Sequence, residues 1–224
     1  MKVLVIIPAY NAARFISRTI DFIRNQSYKN IRIVVVDDAS TDTTSAAVLR
    51  FPGIKLYMLP ENVGTYMAVN YVLQKEKNFD AFYLLGADDC PHENMISSLV
   101  NPMIADPSVL MTFCGYKRML YDTGEFTETR NGRHSSAALW RKSVYDTIGP
   151  FDNTRFGGDT EYWYRFLLYF TEKNIAQINK CLTNSIVHGN NLTVLVGNEK
   201  RLAYVKEFKE RHLVLASQIA ASKI

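Results

Sequence analysis

Four short apolar runs, Val3–Ile7, Ile31–Val36, Ile54–Met58 and Ala81–Leu85, constrain what this 224-residue chain can fold into. Each is too short for a helix and mostly apolar, interrupted only by Arg32 in the second and Lys55 in the third, the pattern of a buried strand. Helical stretches lie between them. Ile16, Ile20 and Ile23 fall at i, i+4 and i+7, and Asn11 is placed to cap that helix. Ser40 and Asp42 open a second helix to about Arg50, which Pro52-Gly53 breaks, and Thr65–Lys77 reads as a third. Strands alternating with helices imply a parallel sheet with helices on both faces. Ligands of such sheets bind beyond the carboxyl ends of the strands. The sequence puts Pro8-Ala9-Tyr10-Asn11, Asp37-Asp38 and Asp88-Asp89 there. Adjacent acids repel unless something positive lies between them, and acids on one sheet edge can share a divalent cation.

The second half is less regular. Val109–Cys114 and Tyr116–Tyr121 read as two strands, with a turn at Thr123-Gly124, a short segment Glu125–Thr129 and a second turn at Asn131-Gly132. Glu161–Phe170 is an aromatic-rich helix, Gly189-Asn190-Asn191 a loop, and Glu199–Ala221 a final helix. The expected class is α/β: a single Rossmann-like domain over residues 1–224, with a mostly parallel central sheet flanked by helices and a smaller mixed β region in the second half.

A net charge of +4 is too mild to indicate nucleic acid, which demands a clustered basic face. The excess is nevertheless lopsided. From Glu199 onward six Lys/Arg face three Glu, so the last helix is a solvated face or a dock for an acidic, membrane-bound or second-copy partner. Three cysteines without CxxC spacing argue against a disulfide framework or structural zinc. No run reaches the roughly 18–20 apolar residues of a membrane span, and the first residues lack a signal-peptide pattern, so the expected location is cytoplasmic, with possible peripheral membrane contact.

Seven motifs occur in order: "VIIPAYN" (Val5–Asn11), "VVVDDAST" (Val34–Thr41), "ENVGT" (Glu61–Thr65), "GADD" (Gly86–Asp89), "IGPFD" (Ile148–Asp152), "GGDTEYWYRF" (Gly157–Phe166) and "VHGNNLT" (Val187–Thr193). Together they resemble a family 2 glycosyltransferase of GT-A fold, similar to small bacterial polysaccharide-biosynthesis enzymes of the spore-coat type. The resemblance spans about residues 1–195. It implies a nucleotide-sugar half (1–115), an acceptor-side half (116–198) and a C-terminal helix (199–224). It also implies a UDP-sugar donor and a glycan or lipid-linked acceptor. Pro8, Ala9, Tyr10 and Asn11 would line the nucleotide pocket. Asp38 would accept a hydrogen bond from the base, and Gly64 would let backbone approach the nucleotide. Asp88 and Asp89 would meet the ribose and an Mn2+ or Mg2+ ion, with His188 as a further metal ligand. Asp159 would be the general base of an inverting transfer, with Glu161 its competitor and Arg165 at the family's acid-to-arginine spacing.

Three positions depart from the pattern. Gly86 and Gly158 stand where many relatives carry acids, and Val69 where an arginine often meets phosphate. Arg130, Arg133 and His134 are the alternative phosphate contacts, and Trp140, Trp163 and Tyr164 are candidates for stacking on sugar. A nucleotidyltransferase is disfavoured by the absence of glycine in "PAYNAARF", and a dinucleotide oxidoreductase by the absence of GxGxxG. A non-catalytic nucleotide-binding or glycan-binding module is the remaining rival.

Overall fold

The structure, a computed structural model, describes residues 1–131, 134–189, 203–204 and 206–213. Among the described residues nine strands form one sheet: β1 (Val3–Ala9), β2 (Ile31–Asp37), β3 (Lys55–Met58), β4 (Ala81–Leu84), β5 (Cys90–Pro91), β6 (Met111–Leu120), β7 (Phe126–Asn131), β8 (Ala138–Arg141) and β9 (Ile175–Val187). Their order is β3-β2-β1-β4-β8-β6-β9-β5, with β7 on β6. The first four strands pair in parallel, as their apolar runs require. Beyond β4 the pairing is antiparallel except between β6 and β9. The sheet is therefore mixed, and the irregular second half extends it rather than forming a separate region.

Helices α1 (Ile16–Arg24), α2 (Thr44–Leu49) and α4 (Met95–Ala105) cover one face; α3 (Thr65–Lys75), α5 (Lys142–Ile148) and α6 (Gly158–Tyr169) cover the other. The strand alternation divides the core accordingly. Val3, Val5 and Ile7 pack with α1 and α4, while Leu4 and Ile6 pack with α3, α5 and α6. Ile16, Ile20 and Ile23 are all buried, as their spacing predicts. At roughly 1.5–3 kcal/mol per fully buried large apolar side chain, these stripes dominate the folding energy.

Three expectations need correction. Asn11 does not cap α1, which begins after Phe15. Its backbone is left-handed (φ 48°), and its side chain is used elsewhere. Val109–Cys114 and Tyr116–Tyr121 are one strand, β6. Gly115 is absorbed as register shifts against β9 instead of ending the strand. Helix α6 starts at Gly158, with left-handed Gly157 before it, so Asp159 lies inside its first turn. The loop at Asn190-Asn191 lies outside the described residues, as does most of the final helix.

Candidate active site

The first cluster is stitched together by side chains from two loops. The Ala9 carbonyl accepts the Asp38 N–H at 2.8 Å. Asn11 donates its N–H to Ser40 Oγ (2.9 Å) and accepts the Thr41 N–H on Oδ1 (2.8 Å). Tyr10 is 52% exposed at this edge, whereas the Ala9 side chain is sealed in the core and Pro8 is half-buried. Ala9 thus meets the edge through backbone alone. Asp38 is buried, and its two carboxylate oxygens accept the N–H groups of Val63 and Gly64, each at 2.8 Å. Gly64 adopts φ 89° and ψ 158°, a conformation essentially reserved for glycine. Ala39 is held left-handed at φ 59° beside it. The Arg155 side chain lies over Gly64 and donates to the Asn62 carbonyl (3.0 Å). This cation beside Gly64 had no signal in the sequence.

The second cluster is a tight turn. The Asp89 N–H donates to the Gly86 carbonyl (3.1 Å). Buried Thr19 of α1 donates to the Ala87 carbonyl (2.8 Å) and also lies within reach of the Asp89 carbonyl (3.2 Å). The Gly86 N–H donates to Ser136 Oγ (3.0 Å). Because β5 follows immediately and pairs with β9, the end of β9 returns to the turn. His188 Nε2 therefore sits 2.9 Å from Asp88 Oδ2, its ring stacked on Phe15. Asp89 is buried and accepts the Ile186 N–H (3.3 Å). Burial, reinforced by the neighbouring Asp88 charge, pushes its carboxyl up to about 7. A Cβ on Gly86 would lie 2.8 Å from Asp89 Oδ2 and 3.0 Å from Asp88 Oδ1. Glycine there is what lets both carboxylates fold back over the turn.

A carboxylate–imidazole edge beside a buried acid of unmatched charge suits a divalent cation that accepts oxygen and nitrogen donors. Among the described residues no three His, Cys, Asp or Glu side chains converge as a ready ligand set. Asp88 and His188 form the edge, and Asp89 lies beneath it.

The third element is Asp159. Its Oδ1 accepts the Tyr66 hydroxyl (3.2 Å) and the Thr160 N–H (2.8 Å). Among the described residues its Oδ2 has no hydrogen-bond partner. Burial holds the Tyr66 proton well above the usual phenol range, so Tyr66 is a donor. The Tyr66 ring also explains Gly158, where a Cβ would meet that ring at 2.7 Å. Asp159, Trp140, Trp163, Leu84 and His134 line a small cavity of about 20 Å3. Tyr66 was not foreseen, since its role depends on a contact 93 residues away in the chain.

The other expected residues are placed differently. Glu161 is 3% exposed and paired with Arg165 (2.8 Å) and His212 (3.2 Å). Arg165 also donates to the Ile148 and Pro150 carbonyls. Both side chains hold α6 in place. Val69 is core. Trp140 and Trp163 are buried in aromatic packing, and Tyr164 packs on Phe208. Arg130 pairs with Glu128, and Arg133 lies outside the described residues. The helical residues 203–204 and 206–213 pack on the core. Phe208 is buried, Tyr204 lies against Gly157, and Arg211 meets Asp152 at 2.8 Å. Lys206, Glu207, Lys209 and Glu210 face solvent with mixed charge. No helix among the described residues is long and apolar enough to cross a membrane.

The same architecture recurs in solved GT-A structures. Staphylococcus aureus TarS in complex with UDP-GlcNAc superposes with a TM-score of 0.72 at 18% identity, over 85% of this chain and 60% of that one. The mannosyltransferase PcManGT from Pyrobaculum calidifontis, in complex with GDP-Man and Mn2+, gives 0.65 at 21% identity, over 99% and 64%. These likenesses identify the fold as GT-A. In sequence, an uncharacterized glycosyltransferase of Rickettsia typhi is 30% identical over 186 residues, 74% of this chain and 58% of its own. The corresponding Rickettsia prowazekii protein is 28% identical over 83% of this chain and 64% of its own. The chain thus spans about three-fifths of the length of these relatives. The profile of Glycosyl transferase family 2 matches residues 4–173, which takes in Asp38, Asp88, Asp89 and Asp159 though not His188, and the chain belongs to that family.

Proposed function

We propose that this chain transfers a sugar from a nucleoside diphosphate donor, UDP in the first instance, to a hydroxyl of a glycan or lipid-linked acceptor, with inversion at the anomeric carbon. One observation carries the reading. Asp159 is fixed through one carboxylate oxygen by Tyr66 and Thr160 and lines a cavity with Leu84, His134 and Ser135, and the next residue, Ser136, accepts the Gly86 N–H that opens the Asp88–Asp89 turn. The nucleotide lies along the Tyr10, Asp38 and Gly64 edge. Asp88 and His188 would hold Mn2+ or Mg2+, with Asp89 beneath them orienting the turn and adding its charge. A cation there supplies positive charge to the diphosphate oxygens. Asp159 Oδ2 receives the proton of the acceptor hydroxyl, while Tyr66 and Thr160 keep the carboxylate aimed. Arg155, beside Gly64, contributes the cation that Val69 does not. Support also comes from the nucleotide sugars bound by TarS and PcManGT, and from the Mn2+ in the latter.

Asp159→Asn is expected to keep donor affinity and lower turnover by roughly 10²–10⁴-fold, the worth of a general base. Undiminished turnover would remove Asp159 from the role. A thermal-shift screen of nucleotide sugars with and without Mn2+ identifies the donor, since a ligand of the folded state raises apparent stability. Slow release of nucleoside diphosphate from that donor separates an enzyme from a pure binder.

A further inference from the structure

His134 sits where the two halves of the site meet, and the reaction so far gives it no task. Its Nδ1 accepts the Ser136 N–H at 3.2 Å, which leaves the proton of a neutral imidazole on Nε2. Nε2 faces Ser185 Oγ at 3.4 Å, a contact at the outer limit of a hydrogen bond. Its ring packs on Tyr116, with centroids 4.5 Å apart. The hydroxyls of Ser136 and Ser185 also stabilise the Asp89 carboxylate. The same two residues therefore hold His134 and the acid turn, closing a ring of polar contacts between them. Burial, with Arg118 and Arg130 nearby, holds the imidazole below its usual range against the pull of Asp159 and Asp88. The result is a neutral, oriented N–H donor on the wall of the cavity that Asp159 shares. That cavity, about 20 Å3, has room for one oxygen-sized group, polar at the His134 and Asp159 side and apolar at Trp140 and Leu84.

We propose that His134 reads the transferred sugar: Nε2–H donates to one hydroxyl of the donor's sugar ring, which enters the cavity between the acid turn and Asp159. This rests on the glycosyltransferase reading above and adds a specificity-determining residue to it. A neutral donor at this point binds a hydroxyl without competing with the cation site for the diphosphate.

The test uses calorimetric titration of the full chain with Mn2+, against UDP and GDP alone and against UDP-glucose, UDP-galactose, UDP-GlcNAc and GDP-mannose. His134→Asn keeps an acceptor for the Ser136 N–H and removes the Nε2–H. Expected is nucleotide affinity within about 2-fold of wild type, with a loss of about 5-fold or more for the preferred sugar donor and a narrower gap between epimeric donors. His134→Gln returns an N–H near the Nε2 position and is expected to recover part of the discrimination, which guards against a folding defect in the first variant. Equal losses for nucleotide and sugar donor, or unchanged discrimination in His134→Asn, would overturn the proposal. Failure of wild type to bind any nucleotide would instead sink the glycosyltransferase reading, and this inference with it.

Discussion

Two aspartate pairs follow two strands of the same sheet, and the fold treats them in opposite ways. Asp37-Asp38, after β2, is fully employed by the protein. Asp37 accepts from the Ser40 N–H and the Ser45 hydroxyl, and Asp38 from two backbone N–H groups across the edge. Asp88-Asp89, after β4, is left in tension. Asp89 is buried with its carboxyl pushed up to about 7, and Asp88 meets His188 at 2.9 Å. Identical dipeptides, one closing β2 and the other in the turn beyond β4, thus do different work. A pair held by backbone and hydroxyl donors fixes loop geometry, whereas a pair whose buried member resists ionisation is one that a cation completes.

The comparison can be broken by substitution. The largest effect is expected at Asp38. Asp38→Ala strands the Val63 and Gly64 N–H groups and should cost about 2–5 kcal/mol in denaturant unfolding. A loss below about 0.5 kcal/mol would mean that Asp38 is not a loop clamp. Asp89→Asn should act in the reverse sense. The folded-state value lies above the ordinary 3.8, so folding takes up a proton between the two values. Stability of the metal-free protein therefore falls as pH rises from about 4 to about 7 and levels off above. Asp89→Asn removes that slope, so metal-free Asp89→Asn should melt a few degrees above wild type at pH 8, with the gap closing near pH 4. A variant less stable than wild type at pH 8 would show that Asp89 is satisfied, not strained. The smallest effect is expected at Gly86. Gly86→Ala puts a methyl group against both carboxylates and should weaken Mn2+ binding about 10-fold with little change in melting. Unchanged Mn2+ affinity would show that the two carboxylates do not need that space.

How much of this could be read in advance follows from where each signal lives. Strands β1 and β4 are legible because burial makes them continuous apolar runs, and β2 and β3 because their runs are broken only by Arg32 and Lys55 before Asp37 and Met58. Helix α4 is hard to read because Pro102 argues locally against a helix. Yet Ile96, Leu99, Val100 and Met103 are all buried, and tertiary packing wins. Strand β9 hides behind polar residues such as Gln177, Asn179 and Lys180, since much of it is exposed. In the site, the acids and His188 stand out by motif. Tyr66, Ser136, Ser185 and Arg155 do not, because each acts through a partner tens of residues distant.

The claim on which the account turns is that Asp88 and Asp89 are charged for a cation that holds a diphosphate. Titrating UDP into the protein with and without Mn2+ tests it most directly. The account predicts tight binding only with the metal, and no metal effect once both aspartates are replaced by alanine. Equal UDP affinity in the presence and absence of Mn2+, or a metal effect that survives in the double variant, would contradict it.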